Sequence, residues 1–106
     1  GRDKAPNSAE AQRRVGIAYY KAARYDDART ALSRATSLDP RDGLAALYLG
    51  LTAEAVNDLG AARRHALAAH ALGFTDPVRR LSNILRIAEL SRVLGDVAQA
   101  RSFYEQ

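Results

Sequence analysis

The chain has 106 residues, among them 22 alanines, 7 glycines and 3 prolines, with no Cys, Met or Trp and a formal net charge of +4. Its length and alanine bias fit one small helical domain. They exclude a disulfide framework, a cysteine nucleophile and a zinc–thiolate site, and no run of about 18 apolar residues exists to span a membrane. Fourteen of the 16 cations are Arg; with the alanine excess, this points to GC-rich coding and a bacterial source. The absence of Cys is compatible with either the bacterial periplasm or the cytoplasm. The cations are spread along the chain and interleaved with acids. That pattern reads as a solvated helical surface in preference to a nucleic-acid interface. The chain starts at Gly1 without an initiator Met or a signal peptide, which reads as a fragment of a longer protein.

Residues 1–7 are expected to be a flexible leader, and 8–106 a single domain. Asn7 or Ser8 can cap a first helix over 8–23, with Glu10 in its opening turn and Val15, Tyr19 and Ala22 at helical spacing. A second helix over 26–38 carries Ala28, Ala31, Leu32, Ala35 and Leu38, and Asp39-Pro40 closes it. Asp26 and Asp27 open this helix, where acids favour the positive end of the helix dipole. Asp42 can cap a third helix over 43–56. That helix is apolar nearly all round through Leu44, Leu47, Tyr48, Leu49 and Leu51, so one of its faces is either a groove floor or is covered. A fourth helix over 59–72 stops at Gly73, a left-handed position. Thr75 or Asp76 caps a fifth over 77–94, with Pro77 at its first position. A sixth covers 96–105.

The elements repeat. Gly16 and Gly50, Tyr25 and Leu59, and Ala28 and Ala62 are each 34 residues apart. A third copy follows at a spacing of 38, with Ala88, Val97 and Ala100. The strings beginning at Ala23, Asn57 and Gly95 each give a short turn, an apolar residue, and an Ala three residues later. The small residues at 16, 50 and 88 and at 28, 62 and 100 let the two helices of each hairpin approach closely, where larger side chains would push them apart. The four additional residues before the third copy make about one helical turn. They are expected at 77–80, as a protruding turn with two arginines.

These residues resemble the tetratricopeptide repeat family. The first repeat, 9–42, matches its pattern at Val15, Gly16, Tyr19, Ala28, Leu32, Ala35 and Pro40. The second, 43–76, matches at Leu49, Gly50, Ala62 and Ala69. The third, 77–106 and truncated, matches at Ile87, Ala88, Ala100 and Tyr104. Gln12, Ala53 and Ala66 depart from the pattern. The resemblance implies an all-α fold of about six helices, with helical hairpins stacked as a right-handed superhelical solenoid. It implies a non-catalytic protein-interaction scaffold without cofactor, metal or small-molecule substrate. Arrays of this family serve in envelope assembly, secretion and polysaccharide export.

By the family's phase, the first helix of each hairpin lines a concave groove. The resemblance assigns to it Arg13, Ile17, Tyr20 and Lys21; Leu44, Leu47, Leu51 and Glu54; and Ser82, Leu85, Arg86, Glu89 and Arg92. Such a groove would bind a partner peptide or helix through Leu47, Leu51, Leu85 and Ile17, with Arg13, Lys21 and Arg92 contacting acids at its edges. The same leucines could instead contact adjacent repeats. A chaperone-type carboxylate clamp is not implied, because Ile17 and Tyr48 stand at its asparagine places and Ser82 at a lysine place. The alternatives are self-assembly through exposed solenoid ends, including a homo-oligomer through the C-terminal helix, and a basic nucleic-acid-binding surface. Nothing in the chain makes an enzyme constellation. His65 and His70, five apart on a helix, point away from each other, where a metal pair needs a spacing of three or four.

Overall fold

The computed structural model describes residues 8–106 and places six helices in chain order. They are α1 (Ala9–Lys21), α2 (Tyr25–Leu38), α3 (Gly43–Ala55), α4 (Leu59–Leu72), α5 (Pro77–Val93) and α6 (Val97–Tyr104). The leader expected at 1–7, and Asn7 as a cap, lie outside the described residues. Among the described residues there is no strand, and no helix is long and apolar enough to cross a membrane. The helices form three hairpins, α1–α2, α3–α4 and α5–α6, and each hairpin packs on the one before it through α2–α3 and α4–α5. The stack is elongated, with extents of 47 × 27 × 20 Å.

One turn design closes all three hairpins. The N–H groups of Arg24, Asp58 and Asp96 donate to the carbonyls of Tyr19, Ala53 and Ser91, five residues back, at 2.8–2.9 Å. The preceding residue in each turn has positive φ: Ala23 at 61°, Asn57 at 63° and Gly95 at 87°. This is the Schellman arrangement, which uses up carbonyls that a helix end otherwise leaves unpaired. It also explains why α1 ends at Lys21 and not at 23, since a left-handed Ala23 cannot continue a right-handed helix.

Helix starts are fixed by side-chain caps. Ser8 Oγ accepts from Ala11 N at 3.1 Å, Asp42 Oδ1 from Ala45 N at 3.1 Å, Asp58 Oδ1 from Ala61 N at 3.3 Å, Asp76 Oδ1 from Val78 N at 3.0 Å and Asp96 Oδ1 from Gln99 N at 3.1 Å. α2 has no side-chain cap, but Asp26 and Asp27 sit in its first turn and pair with Arg29 and Arg24. Gly73 ends α4 at φ 89° and ψ 163°. The positive φ expected there is present, but ψ is extended and not left-handed helical, a region essentially reserved for glycine.

The core is thin and rich in small residues. Ala28, Leu32 and Ala35 of α2 meet Ala45 and Leu49 of α3, with Ile17, Tyr19, Tyr20 and Tyr48 packed around them. Ala66 meets Ile84, Ile87, Ala88 and Phe103 at the next junction. Leu32, fully buried, supplies about 2–3 kcal/mol of burial free energy, where an alanine supplies far less. Inside the first hairpin the approach is so close that a Cβ at Gly16 would stand 2.5 Å from Leu32 Cγ. Asn83 and Ser91 are wholly buried polar side chains; Asn83 Nδ2 donates to Ala66 O at 3.0 Å and Ser91 Oγ to Gln99 Oε1 at 2.9 Å. The four additional residues of the third repeat lie in α5, which has 17 residues against 13 in α1 and α3.

Candidate binding groove

The first helices of the three hairpins, α1, α3 and α5, share an open trough. One hollow of about 430 Å³ is lined by Tyr20, Leu51, Glu54, Ala55 and Arg86. A second, of about 300 Å³, is lined by Leu47, Tyr48, Leu51, Asp76, Val78, Arg79, Ser82 and Arg86. They share Leu51 and Arg86, so the two are one continuous surface. A third hollow of about 410 Å³ continues from Asp76 and Arg79 to the loop edge, past Phe74, Leu44, Arg41 and the Arg13–Asp42 pair.

Local folding positions these side chains. The ring of Tyr20 meets that of Tyr48 edge-on at 5.6 Å and that of Tyr25 at 6.0 Å, which fixes the aromatic end of the trough. Thr52 Oγ1 donates to Tyr48 O at 2.7 Å within α3. Arg86 Nε reaches Glu54 Oε1 at 3.3 Å across the α3–α5 gap, with both side chains partly open to solvent. Arg13 Nη1 meets Asp42 Oδ2 at 3.1 Å. Asp42 is largely buried, so this pair ties the middle of α1 to the cap of α3. The protruding first turn of α5 supplies the wall made by Val78 and Arg79. The trough thus has an apolar and aromatic floor with arginines on its rim, and it brings together no nucleophile–base pair.

The residues assigned by family phase separate into groups. Tyr20, Leu47, Leu51, Glu54, Ser82 and Arg86 line the trough, and Arg13 and Leu44 line its loop end. Leu47 is only 6% exposed, packed in a cluster with Ala46 and Ala69. Ile17 packs, half-buried, on the first core cluster, and Lys21 is exposed at the end of α1. Leu85, Glu89 and Arg92 lie along the α5 face next to α6. There Glu89 Oε1 accepts from Tyr104 OH at 3.1 Å, and Glu89 also pairs with Arg92. Hydrogen bonds from Arg92 and then Tyr104 hold the Glu89 carboxyl below its usual range. Tyr48, Ala55, Asp76, Val78 and Arg79 join the trough without having been assigned to it; the apolar girth of the third helix and the extra turn of the fifth were the signals for three of them. His65, half-buried beside Gly50, is held below the ordinary imidazole value by burial and then by Arg64.

Residues 9–42, which span α1, α2 and the loop to the α3 cap, match the family model described as tetratricopeptide repeat. None of the curated proteins compared with the chain matches it. The second and third hairpins repeat the turn of the matched segment's hairpin and add Asp caps at Asp42, Asp58, Asp76 and Asp96. The described chain is accordingly a stack of like hairpins.

Proposed function

We propose that this chain, whose residues 9–42 match the tetratricopeptide repeat and whose later hairpins stack in the same way, is a tetratricopeptide-type helical-repeat domain whose concave trough holds one segment of a partner polypeptide. Tetratricopeptide repeats are in general non-catalytic protein-interaction scaffolds, and the trough supplies what such a segment needs. The carrying observation is the continuous surface over Tyr20, Tyr48 and Leu51, with Arg86 and Arg79 on its α5 side. Apolar side chains of a helix or extended strand would be desolvated on that floor. The arginines would favour acidic residues beside them, and exposed ionic contacts of this kind steer association more than they add affinity.

The test is selection of peptides from a displayed random library, followed by binding titrations to variants. Selected peptides should lose about 10-fold or more in affinity on Leu51→Glu, a loss of roughly 1.4 kcal/mol, and should bind Val97→Glu, on the exposed side of α6, as they bind the unaltered chain. Equal affinity for Leu51→Glu and the unaltered chain, with both folded by circular dichroism, would put binding elsewhere.

A further inference from the structure

On the reading that the trough is the binding site, we propose that it is polarised along α3 and takes a partner segment one way round, acidic side chains against Arg41 and Arg79 and apolar ones over Tyr20 and Leu51. The trough follows α3 from Leu44, in the loop-end hollow, to Glu54, in the hollow beside Tyr20. Those ten residues of helix make about 15 Å. That is nearly twice the Debye length of about 8 Å at physiological ionic strength. A charge on a bound segment therefore answers to the groups at its own end of the trough.

The two ends differ. Arg13, Arg41 and Arg79 line the loop end together with Asp39, Asp42 and Asp76, a formal balance that the hydrogen bonds upset. Each of these carboxylates already accepts a backbone N–H, from Arg41 at 3.1 Å, Ala45 at 3.1 Å and Val78 at 3.0 Å. Asp42 and Asp76 also cap α3 and α5, where about half a positive charge per helix offsets them, and Asp42 holds Arg13. Arg41 and Arg79 are exposed, and among the described residues neither guanidinium has a hydrogen-bond or ion-pair partner. The extra turn of α5 is what brings Arg79 there. The other end is lined by one carboxylate, Glu54, whose side chain is 45% exposed although it pairs with Arg86, and α3 finishes there with its negative pole. Lys21 is not among the residues lining that hollow. An acid laid beside Tyr20 meets a solvent-facing carboxylate; the same acid at the loop end meets two guanidiniums with their donors unused.

Peptides selected on the unaltered chain from a displayed random library test this. They should carry Asp or Glu residues to one side of an apolar stretch. A nitroxide label at the acidic side should broaden the amides of Gly43 and Phe74, and one at the apolar side those of Tyr20 and Ala55. An exposed ion pair is worth up to about 5-fold in affinity, so reversing both cations in Arg41→Glu with Arg79→Glu should weaken binding about 10-fold. Replacing the peptide's acids by lysines should restore binding to that double variant. Arg34→Glu, exposed on α2, controls for net charge and should bind as the unaltered chain does. Should the double reversal lose its helical circular dichroism, Arg41→Gln with Arg79→Gln takes its place, with a loss of about 3-fold. Peptides that weaken on Leu51→Glu but bind the double variant unchanged leave the trough as the site and overturn its polarity. Labels that put the acids beside Tyr20, or selected peptides without acids, overturn it too. Peptides indifferent to Leu51→Glu, or a library that yields no binder, overturn the trough as the site and its polarity together.

Discussion

Gly16→Ala sets two known effects against each other at one site. Alanine in place of glycine inside a helix stabilises by about 1 kcal/mol. The new methyl, however, would stand 2.5 Å from Leu32 Cγ, 2.7 Å from Cδ2 and 3.2 Å from the Leu32 backbone nitrogen. Leu32 is fully buried among Ala28, Ala35, Ala45 and Leu49, so it has no vacant space to enter, and the nearby backbone means that α1 and α2 must part. Overpacking of this kind costs about 1–3 kcal/mol, and contacts this short belong in the upper half of that range, so the net loss is about 1–2 kcal/mol. The background decides the sign. In Leu32→Ala, itself destabilised by about 2–5 kcal/mol, the two closest carbons are gone and only the 3.2 Å backbone contact remains, so Gly16→Ala should be neutral or stabilise by up to about 1 kcal/mol. Urea unfolding of the four chains of this cycle, followed by circular dichroism, measures both values. A Gly16→Ala chain more stable than the original would falsify the reasoning, as would the same effect in both backgrounds. Gly50→Ala should be milder, because its nearest contact is 3.3 Å, to Ala62 O, and the third repeat already buries Ala88 at that place.

Three more outcomes follow from the turns, caps and titrating groups. Ala23→Gly should raise stability by about 1 kcal/mol in the same unfolding assay, since a left-handed alanine carries a penalty of about 1–2 kcal/mol that glycine lacks. Asp42→Ala should cost more than Asp58→Ala: each loses a helix cap worth about 1 kcal/mol, but only Asp42 also leaves Arg13 without its partner; equal losses would deny the Arg13–Asp42 pair a stabilising part. His65 binds its proton less readily when folded than when unfolded. Its contribution is therefore present above the unfolded pKa of 6.5 and lost as pH falls below it. Thermal midpoints should decline across that window, and His65→Gln should flatten the decline.

The three short hairpin turns were legible because their signal is local, but their left-handed residues were not: the sequence carries the first helix through 23, where Ala23 has φ 61°. The strings at Ala23, Asn57 and Gly95 differ in residue type but fall in register with the alanines that follow them. Asp42 and Asp76 were legible as caps for the same reason, whereas the sequence pattern marked neither Asp58 nor Asp96 as a cap. The 38-residue spacing located the extra turn of α5, because each hairpin turn is anchored from its own C-terminal side. The trough was harder to read. Helical phase says which residues share a face, but not whether another helix covers that face. The phase of Arg13, Ile17 and Tyr20 meets α3, while the same phase in α5 gives Leu85, Glu89 and Arg92 beside Tyr104. The trough's α5 wall comes instead from Ser82, Arg86 and the protruding turn. Burial of Asn83 had no sequence mark, because its partner is a backbone carbonyl 17 residues away.

The most direct measurement of the groove reading is amide chemical-shift mapping of the chain titrated with a library-selected peptide. The account predicts that the largest shifts cluster at Tyr20, Tyr48, Leu51 and Arg86, on three helices that only the fold brings together. Shifts confined to the outer positions of α2, α4 and α6, with those four residues unmoved, would contradict it.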